Sequence, residues 1–162
     1  MVKNKGITLI ALTITIVIMM ILAGITTYFG KDLIKQVKLQ DLRTNMLLIQ
    51  AKAREYLEET TFQKITNLEE AKNQGIIRGT AISGTEVQSI AEKTGKITAP
   101  IEQYYYLTAE DLNEMGIEEL KVEEYGYFII RYDLDEIKVE VLNTNGYQGN
   151  YTLDEINSLV EE

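Results

Sequence analysis

Residues 7–29, ITLIALTITIVIMMILAGITTYF, are the stretch that decides the architecture of this chain. The run contains no charged residue and no proline. As an α-helix, its 23 residues would extend roughly 35 Å at about 1.5 Å per residue. Such a helix crosses a hydrocarbon core of about 30 Å with a modest tilt, so the stretch predicts a single transmembrane helix.

Two other kinds of segment are less compatible with this apolar run. A buried helix of a soluble protein rarely needs so long an uncharged stretch, since about 18 apolar residues already indicate a membrane span. A cleaved secretory signal has an apolar region of about 7–15 residues, followed by a small-x-small cleavage site. The triplet Leu22-Ala23-Gly24 is not followed by Cys, so a lipoprotein signal is not supported either.

Charge is segregated along the chain as strongly as hydrophobicity. Of the 162 residues, 45% are apolar, and the formal net charge is −9. Residues 101–162 carry 16 acidic and 3 basic side chains, a net charge of −13. Residues 31–100 carry 11 basic and 9 acidic ones, a net charge of +2, and Lys3 and Lys5 add a further +2. The averages therefore combine an uncharged segment with an acidic C-terminal part.

The composition excludes several classes of function. Without Cys, the chain has no disulfide, thiolate nucleophile or cysteine-based metal site. Without His, it lacks the commonest general base and cannot form a Ser-His-Asp or Cys-His catalytic set. Phosphate binding needs a basic surface, so the acidic C-terminal part does not favour a nucleic-acid partner. The sequence therefore predicts no enzyme activity and no cofactor.

Charge alone does not decide the orientation of the apolar helix. Lys3 and Lys5 precede the helix, whereas four basic residues follow it between positions 31 and 43. The positive-inside rule, taken literally, would place the C-terminal part in the cytoplasm.

The junction before the apolar run resembles the processing site of type IV prepilins and type II secretion pseudopilins. It has a short basic leader, then Gly6, then Ile7-Thr8-Leu9-Ile10, and the apolar run starts at once. The resemblance implies that a prepilin peptidase cuts between Gly6 and Ile7 on the cytoplasmic face and methylates the new amino group. It also implies that the N-terminus stays in the cytoplasm and the C-terminal part lies at the cell surface, which overrides the charge count.

One residue departs from the pilin pattern. The fifth residue after the cut is Glu in most pilins, where it is thought to pair with the terminal amine of a neighbouring subunit. In this chain it is Ala11, which costs less to keep in a membrane than a carboxylate but removes that registration contact. Tip pseudopilins also lack this Glu. The start KGITLIAL, which ends at Leu12, is similar to a pilin-like group of clostridia-type Gram-positive bacteria.

The resemblance implies a structural role in a type IV pilus or a type II secretion-type filament. A cut before the helix leaves the chain its anchor, and the helix can leave the bilayer only for an equally apolar environment, such as the helices of sister subunits. The residues expected to anchor and assemble the subunit include Thr8, Leu9, Ile10, Ala11, Leu12 and Gly24. The alternative is a single-pass, membrane-tethered surface protein that never polymerises, which Ala11 favours.

After the apolar run, residues 30–61 are expected to continue as an amphipathic helix. Apolar residues recur there at spacings of three and four, as one face of a helix requires. This stripe consists of Leu39, Leu42, Met46, Ile49, Ala53 and Tyr56. Such a stripe fits a helix that packs on its own domain or the outer half of a pilin spine, and the prepilin resemblance favours the spine.

Residues 62–100 give weaker patterns and no candidate chemistry. Asn67 is suited to begin a short helix that ends at Gly75. Ser83 and Glu86 have the spacing of a capping box, which predicts a second helix that runs to about Thr94. Pilins carry a variable connection in this region, so we expect loops and weak order.

The C-terminal residues predict a small antiparallel sheet. Residues 125–132 are aromatic and β-branched, as a strand should be. Residues 137–141 alternate, with Ile137 on the same face as the two valines that follow it. A hairpin turn at residues 133–136 is expected to join these two strands, and residues 104–107 are a candidate third strand.

Three tyrosines and two helix starts complete this pattern. In the run 104–106, alternation along a strand predicts that Tyr105 faces away from its two neighbours. Thr108 and Thr152 are each followed three residues later by an acidic residue, which is the spacing of a capping box. Gly116 is expected to end the first of these helices.

Two loops are candidate sites for a ligand. Asp133, Asp135 and Glu136 offer oxygens of the kind that Ca²⁺ prefers, but the Gly and the final Glu of an EF-hand loop are missing. Residues 143–151 suit adaptable surface contacts or a turn that joins the sheet to the last helix, and we favour the turn. We therefore predict no metal site.

These features predict an α+β fold in which a long N-terminal helix packs on a small antiparallel sheet with short helices. The expected organisation is a leader (1–6), a transmembrane and assembly helix (7–29), an amphipathic helix (30–61), a variable connection (62–100) and an acidic sheet with short helices (101–162).

Overall fold

The described part of the chain combines five α-helices and a short 3-10 helix (Ile101–Gln103) with a five-stranded sheet. A computed structural model describes residues 5–98, 100–117, 120 and 125–161, and the side chains of its first helix at 11–22, 24 and from 33 onward. The helices are α1 (Lys5–Phe62), α2 (Leu68–Asn73), α3 (Glu86–Glu92), α4 (Ala109–Glu114) and α5 (Leu153–Glu161). The strands are β1 (Thr80–Ala81), β2 (Tyr104–Tyr106), β3 (Phe128–Asp133), β4 (Lys138–Tyr147) and β5 (Asn150–Thr152). The predicted α+β class is confirmed.

The chain divides into two compact units, one up to Lys38 and the other from Leu39 to Glu162. Helix α1 contributes residues to both units. Among the helices and side chains that the structure describes, none forms an apolar segment with the length and hydropathy that a membrane crossing requires. The stretch predicted to cross the membrane, residues 7–29, lies partly outside this description, which omits the side chains of 7–10, 23 and 25–29.

The sheet is an antiparallel meander in which each strand pairs with the next one along the chain. Its centre is the β3–β4 pair, where Ile130 lies opposite Val141 and Tyr132 lies opposite Val139. The predicted hairpin between these strands is confirmed. The two edge strands contain only two and three residues, so little unpaired backbone is exposed at either edge.

One face of the sheet packs against α1 from Leu39 onward. The predicted apolar stripe is confirmed, since Leu42, Met46, Ile49 and Ala53 are buried and Leu39 and Tyr56 pack at its ends. The strands contribute alternate residues to the same cluster, namely Tyr105, Ile130, Tyr132, Val139 and Val141. The stripe continues to Leu57, which is also fully buried and had not been included in the prediction.

The opposite face of the sheet is covered by α3. Val87 and Ala91 of that helix pack with Tyr104, Ile129 and Leu142. Because neighbouring strand residues face opposite sides, the central strands are buried on both faces. The predicted alternation of the three tyrosines is therefore confirmed: Tyr105 lies in the α1 cluster, and its neighbours lie on the α3 side.

The structure corrects the expected inward position of Ile137. This residue has a φ of +50°, and its side chain is 49% exposed. The carboxylate of Asp133 accepts hydrogen bonds from the amides of Asp135 and Glu136, which holds the chain in a turn up to Ile137. Strand β4 consequently begins at Lys138, one residue later than the alternating pattern suggested.

Two other strand boundaries differ from the prediction. Strand β3 begins at Phe128 and not at residue 125, because Gly126 has a φ of +75° and leaves the extended conformation. Residues 143–151 were expected to be a turn before the last helix. Instead β4 continues to Tyr147 and returns through Gln148 and Gly149 into β5.

Three of the four helix caps predicted from the sequence are confirmed. Asn67 caps α2, Thr108 forms the predicted reciprocal capping box with Asp111, and Thr152 forms one with Glu155. The fourth expectation, a capping box from Ser83, is wrong. Helix α3 begins only at Glu86, after Thr85, whose hydroxyl bonds the carbonyl of Ile82 and makes no cap. The predicted C-terminal ends of α2 and α4 are nearly right. Gly75 and Gly116, both at positive φ, lie two residues after the last residue of each helix.

Candidate functional site

The proposed processing junction lies at the start of α1. Lys5 is the first residue of the helix, and the backbone of Gly6 and Ile7 is helical. Lys3 lies outside the described residues, as do the side chains of residues 5–10.

Just after the junction, α1 presents apolar side chains to its surroundings around its whole circumference. Nine large ones between positions 12 and 22 are each 44–69% exposed, and we call them the apolar helix surface. They are Leu12, Ile14, Ile16, Val17, Ile18, Met19, Met20, Ile21 and Leu22. Fully burying an exposed side chain of this size is worth about 1.5–3 kcal/mol, and since each of the nine is about half exposed, covering them all is worth on the order of 10 kcal/mol.

Polar groups within this surface are accommodated by the helix itself. The hydroxyl of Thr15 donates a 2.8 Å hydrogen bond to the carbonyl oxygen of Ala11, one turn earlier. Such a bond lets a threonine remain in apolar surroundings at little cost. A Cβ atom added at Gly24 would meet no described atom within 4 Å, so the structure assigns no packing role to this glycine within one chain.

The acidic C-terminal unit has a first cleft, of about 490 Å³, in which two of the three lining carboxylates, Glu140 and Glu155, are already paired. It lies between α1, β4 and the start of α5, and we call it the paired cleft. Lys138 binds Glu140 at 2.7 Å, and Arg131 binds the same carboxylate at 3.1 Å. Lys96 pairs with Glu155. The three basic and three acidic side chains that line the cleft are therefore balanced in formal charge within the chain.

Hydrogen bonding dominates the electrostatics of Glu155. Burial alone would raise the pKa of this carboxyl, but the ammonium of Lys96 and the amides of Tyr151 and Thr152 all donate to it. Their combined effect lowers the pKa of Glu155 from 4.5 to about 2. The group is thus an ionised structural anchor at neutral pH.

A second cleft, of about 340 Å³, is acidic and contains no matching cation. Glu69, Glu102 and Asp135 line it, and none of the other described residues around it is basic. All three side chains are exposed, and within the described residues no ion pair reaches them. Leu68 and Leu134 add half-buried apolar surface. We call this cleft the acidic groove.

In the hairpin that was weighed as a calcium loop, Asp133 uses both of its carboxylate oxygens internally. One oxygen of Asp133 accepts the amides of Asp135 and Glu136, and the other lies 2.8 Å from the guanidinium of Arg131. Within the described residues, no three acidic side chains converge in a way that would hold a metal ion. The loop is a turn held by its own first residue.

Sequence patterns had not singled out Glu69 or Glu102 as site residues. The three carboxylates of the acidic groove are separated by 33 positions each, on α2, the turn before β2 and the β3–β4 hairpin. They come together only because the sheet folds these segments to the same place. The sole local signal was the net charge of −13 in residues 101–162.

Comparison with known proteins gives no family assignment. No family model, no curated protein and no solved structure matches this chain.

Proposed function

We propose that this chain is a pilin-like structural subunit of a type IV pilus or a type II secretion-type filament. Its leader is removed between Gly6 and Ile7 by a prepilin peptidase. The helix of residues 7–29 then holds the chain in the lipid bilayer, with the N-terminus in the cytoplasm and the acidic unit at the cell surface. Sister subunits are its partners in the filament, and the subunit is not an enzyme.

The observation that carries this proposal is the position of the junction relative to the apolar helix. The basic leader and Gly6 come directly before a run without charge, so a cut at this point spares the anchor. A secretory signal, in contrast, is cut after its apolar region, and the mature chain loses it. The prepilin-like order is therefore the one that yields a membrane-held subunit.

The apolar helix surface supports the assembly step. Nine exposed large side chains surround the helix between positions 12 and 22, and one neighbouring helix can cover only part of that circumference. A bilayer covers all of it, and so does a bundle of the same helix from several subunits. The two environments are similarly apolar, so transfer from the membrane to a filament core costs little hydrophobic free energy.

Changing Gly6 tests the processing step. We expect Gly6→Leu to block maturation, because a bulky side chain prevents the backbone from entering the peptidase site. Mass spectrometry of the membrane-extracted chain should then find the first six residues still attached. Gly24→Leu, inside the apolar run, is the matched control and should mature normally. A Gly6→Leu chain that still starts at a methylated Ile7 contradicts the proposal.

A membrane-tethered protein that does not polymerise is the second candidate, and Ala11 favours it. The usual Glu at this position would pair with a neighbour's amine, and alanine cannot do so. Paired Cys substitutions at Ile14 and Met20, which lie about 120° apart around the helix axis and so face different neighbours, distinguish the two candidates. A filament gives ladders of crosslinked species, whereas a tether gives dimers at most.

A further inference from the structure

The end of β4 contains the one Asn-Gly pair of the chain, Asn145 and Gly146. In such a pair the amide nitrogen of the glycine can attack the asparagine side chain, because a glycine has no Cβ atom to shield its own nitrogen. The fold requires this glycine: Gly146 has a φ of +56°, and a Cβ atom there would clash with the carbonyl oxygen of Asn150. A chemically labile pair therefore stands where no larger residue fits.

The side chain of Asn143 binds the amide nitrogen of Gly146. Asn143 is polar but fully buried. Its Oδ1 accepts hydrogen bonds from the N–H groups of Gly146, at 2.8 Å, and of Asn145, at 3.1 Å. Its Nδ2 donates to the carbonyl oxygen of Tyr125 at 2.9 Å, which fixes the orientation of the side-chain amide. The nitrogen that would attack is thus already hydrogen-bonded, through the proton that it would have to lose.

The side chain of Asn145 is restricted as well, although the residue is exposed. Its Cγ lies 2.7 Å from the point that a Cβ atom of Gly126 would occupy, so the carboxamide packs against the backbone of the bend before β3. Exposure gives water access to the carboxamide. This contact and the Asn143 bonds, in contrast, oppose the rotation that would bring Cγ to the nitrogen of Gly146.

We propose that Asn145 is a site of spontaneous deamidation and that Asn143 protects it in the folded chain. In the reaction, the Gly146 nitrogen gives up its proton to solvent and forms a bond to Cγ of Asn145. The bond from Cγ to Nδ2 breaks, and the nitrogen takes up a proton and leaves as ammonia, so that a cyclic imide remains. Water then adds to either carbonyl of this imide and opens it, which gives aspartate or isoaspartate without any oxidation or reduction. The inference does not depend on the proposed function.

The products alter the sheet where β4 meets β5. Aspartate adds one negative charge to a chain whose formal net charge is already −9. Isoaspartate also adds one carbon to the main chain between Asn145 and Gly146, within the part of β4 where the pairing with β5 is irregular. The register of Tyr147 opposite Asn150 would then be lost. Because the protecting bonds must open first, the reaction rate measures how often this part of the sheet opens.

The rate of deamidation in the full-length folded chain tests this proposal. The chain is incubated at mildly alkaline pH and digested, and mass spectrometry follows the peptide that contains Asn145. Asn73, which is exposed and precedes Gln74, serves as an internal reference. We expect Asn145 to react at least about tenfold more slowly in the folded chain than in the same chain in denaturant, a difference of about 1.4 kcal/mol. Equal rates in the two states would overturn the proposal.

Removing the protecting acceptor should accelerate the reaction. Asn143→Ala leaves the Gly146 N–H without this bond, and we expect deamidation at Asn145 to become about tenfold faster, the upper range for one hydrogen bond. Asn143→Asp keeps a side-chain oxygen for both amides but loses the donor to Tyr125, so it is destabilised as well and should remain nearly as slow as the parent. An unchanged rate in Asn143→Ala, or an equally fast one in Asn143→Asp, would show that the acceptor does not protect the site.

Leu57→Ala is the control that separates local protection from overall stability. Leu57 is fully buried, so its truncation destabilises the chain. Asp41, whose carboxylate accepts the hydroxyl of Tyr125, lies 16 residues earlier in the same helix, about 24 Å away at 1.5 Å per residue. Deamidation at Asn145 should proceed in this variant at the parent rate under conditions in which circular dichroism shows both chains to be folded. If Leu57→Ala reacts as fast as Asn143→Ala, the rate follows global unfolding and the proposed protection is wrong.

Discussion

The ammonium of Lys96 pairs with the carboxylate of Glu155, a residue 59 positions further along the chain. The same carboxylate accepts hydrogen bonds from the amides of Tyr151 and Thr152, the last two residues of β5, directly before α5. One side chain thus joins the loop after α3 to the first turn of the last helix. It also keeps the paired cleft electrically balanced.

This relationship predicts a specific pH dependence of stability. The pKa of Glu155 is lowered in the folded state from 4.5 to about 2, so its contribution is fully present above pH 4.5 and is lost as the pH falls toward 2. At neutral pH the contribution amounts to at most about 3 kcal/mol. Denaturant unfolding of Glu155→Gln should show a lower free energy of unfolding at pH 7 and a smaller decrease between pH 4.5 and 2.

Glu58→Gln is the control for this measurement, because Glu58 is exposed and is reached by no ion pair of the described residues. It should behave like the parent chain at each pH. Identical pH profiles for the Glu155→Gln variant and the parent would show that the ion pair with Lys96 contributes nothing to stability.

Arg78 connects three segments of the C-terminal unit, and its loss should destabilise that unit. Its guanidinium lies 5.6 Å from the ring centre of Tyr56, and its Nε lies 2.6 Å from Glu114 in an ion pair without hydrogen-bond geometry. It also donates to the carbonyl of Gly75. We expect Arg78→Ala to reduce the free energy of unfolding by about 2 kcal/mol. Arg78→Lys, which retains only the charge, should recover less than half of that.

The packing of α1 on the sheet predicts a contrast between two positions of the same helix. Met46 is fully buried, whereas Leu48 is 49% exposed. Truncating a buried side chain of this size leaves a cavity, so Met46→Ala should cost about 2–5 kcal/mol in thermal or denaturant unfolding. Leu48→Ala should cost less than about 1 kcal/mol. Equal costs would mean that α1 does not pack on the sheet through this stripe.

The bend before β3 predicts a glycine requirement. A Cβ atom at Gly126 would lie 2.7 Å from side-chain atoms of Thr144 and Asn145, and its φ is +75°. Gly84 has a nearly identical φ of +76° but no described atom within 4 Å of such a Cβ. Gly84→Ala should therefore cost about 1 kcal/mol of backbone strain, and Gly126→Ala should cost about 1–2 kcal/mol more because of the clash. Equal melting temperatures of the two variants would contradict this packing.

Much of the C-terminal fold follows from local sequence rules. The buried stripe of α1, the alternation at Tyr105 and the capping box at Thr108 each depend on spacing within a few residues. The error at Ile137 has a local cause as well, since the Asp133 carboxylate binds two turn amides and delays the strand. The alternating pattern alone does not show that the turn would outcompete the extension of β4 to Ile137.

The two candidate sites differ in the same respect: one follows from local sequence, and the other depends on the tertiary fold. The proposed junction at Gly6 and Ile7 can be recognised in the sequence because a cleavage motif consists of consecutive residues. The acidic groove is not, because Glu69, Glu102 and Asp135 meet only after the sheet has formed. Proximity between distant residues depends on strand order and register, which spacing rules do not contain.

The first residue of the native mature chain tests the central claim most directly. The chain is purified from the cells that naturally produce it, and its N-terminal peptide is analysed by mass spectrometry. The proposed function predicts a peptide that begins at Ile7 and carries one methyl group on its amino nitrogen. A chain that retains the first six residues, or one that begins after residue 29, would contradict it.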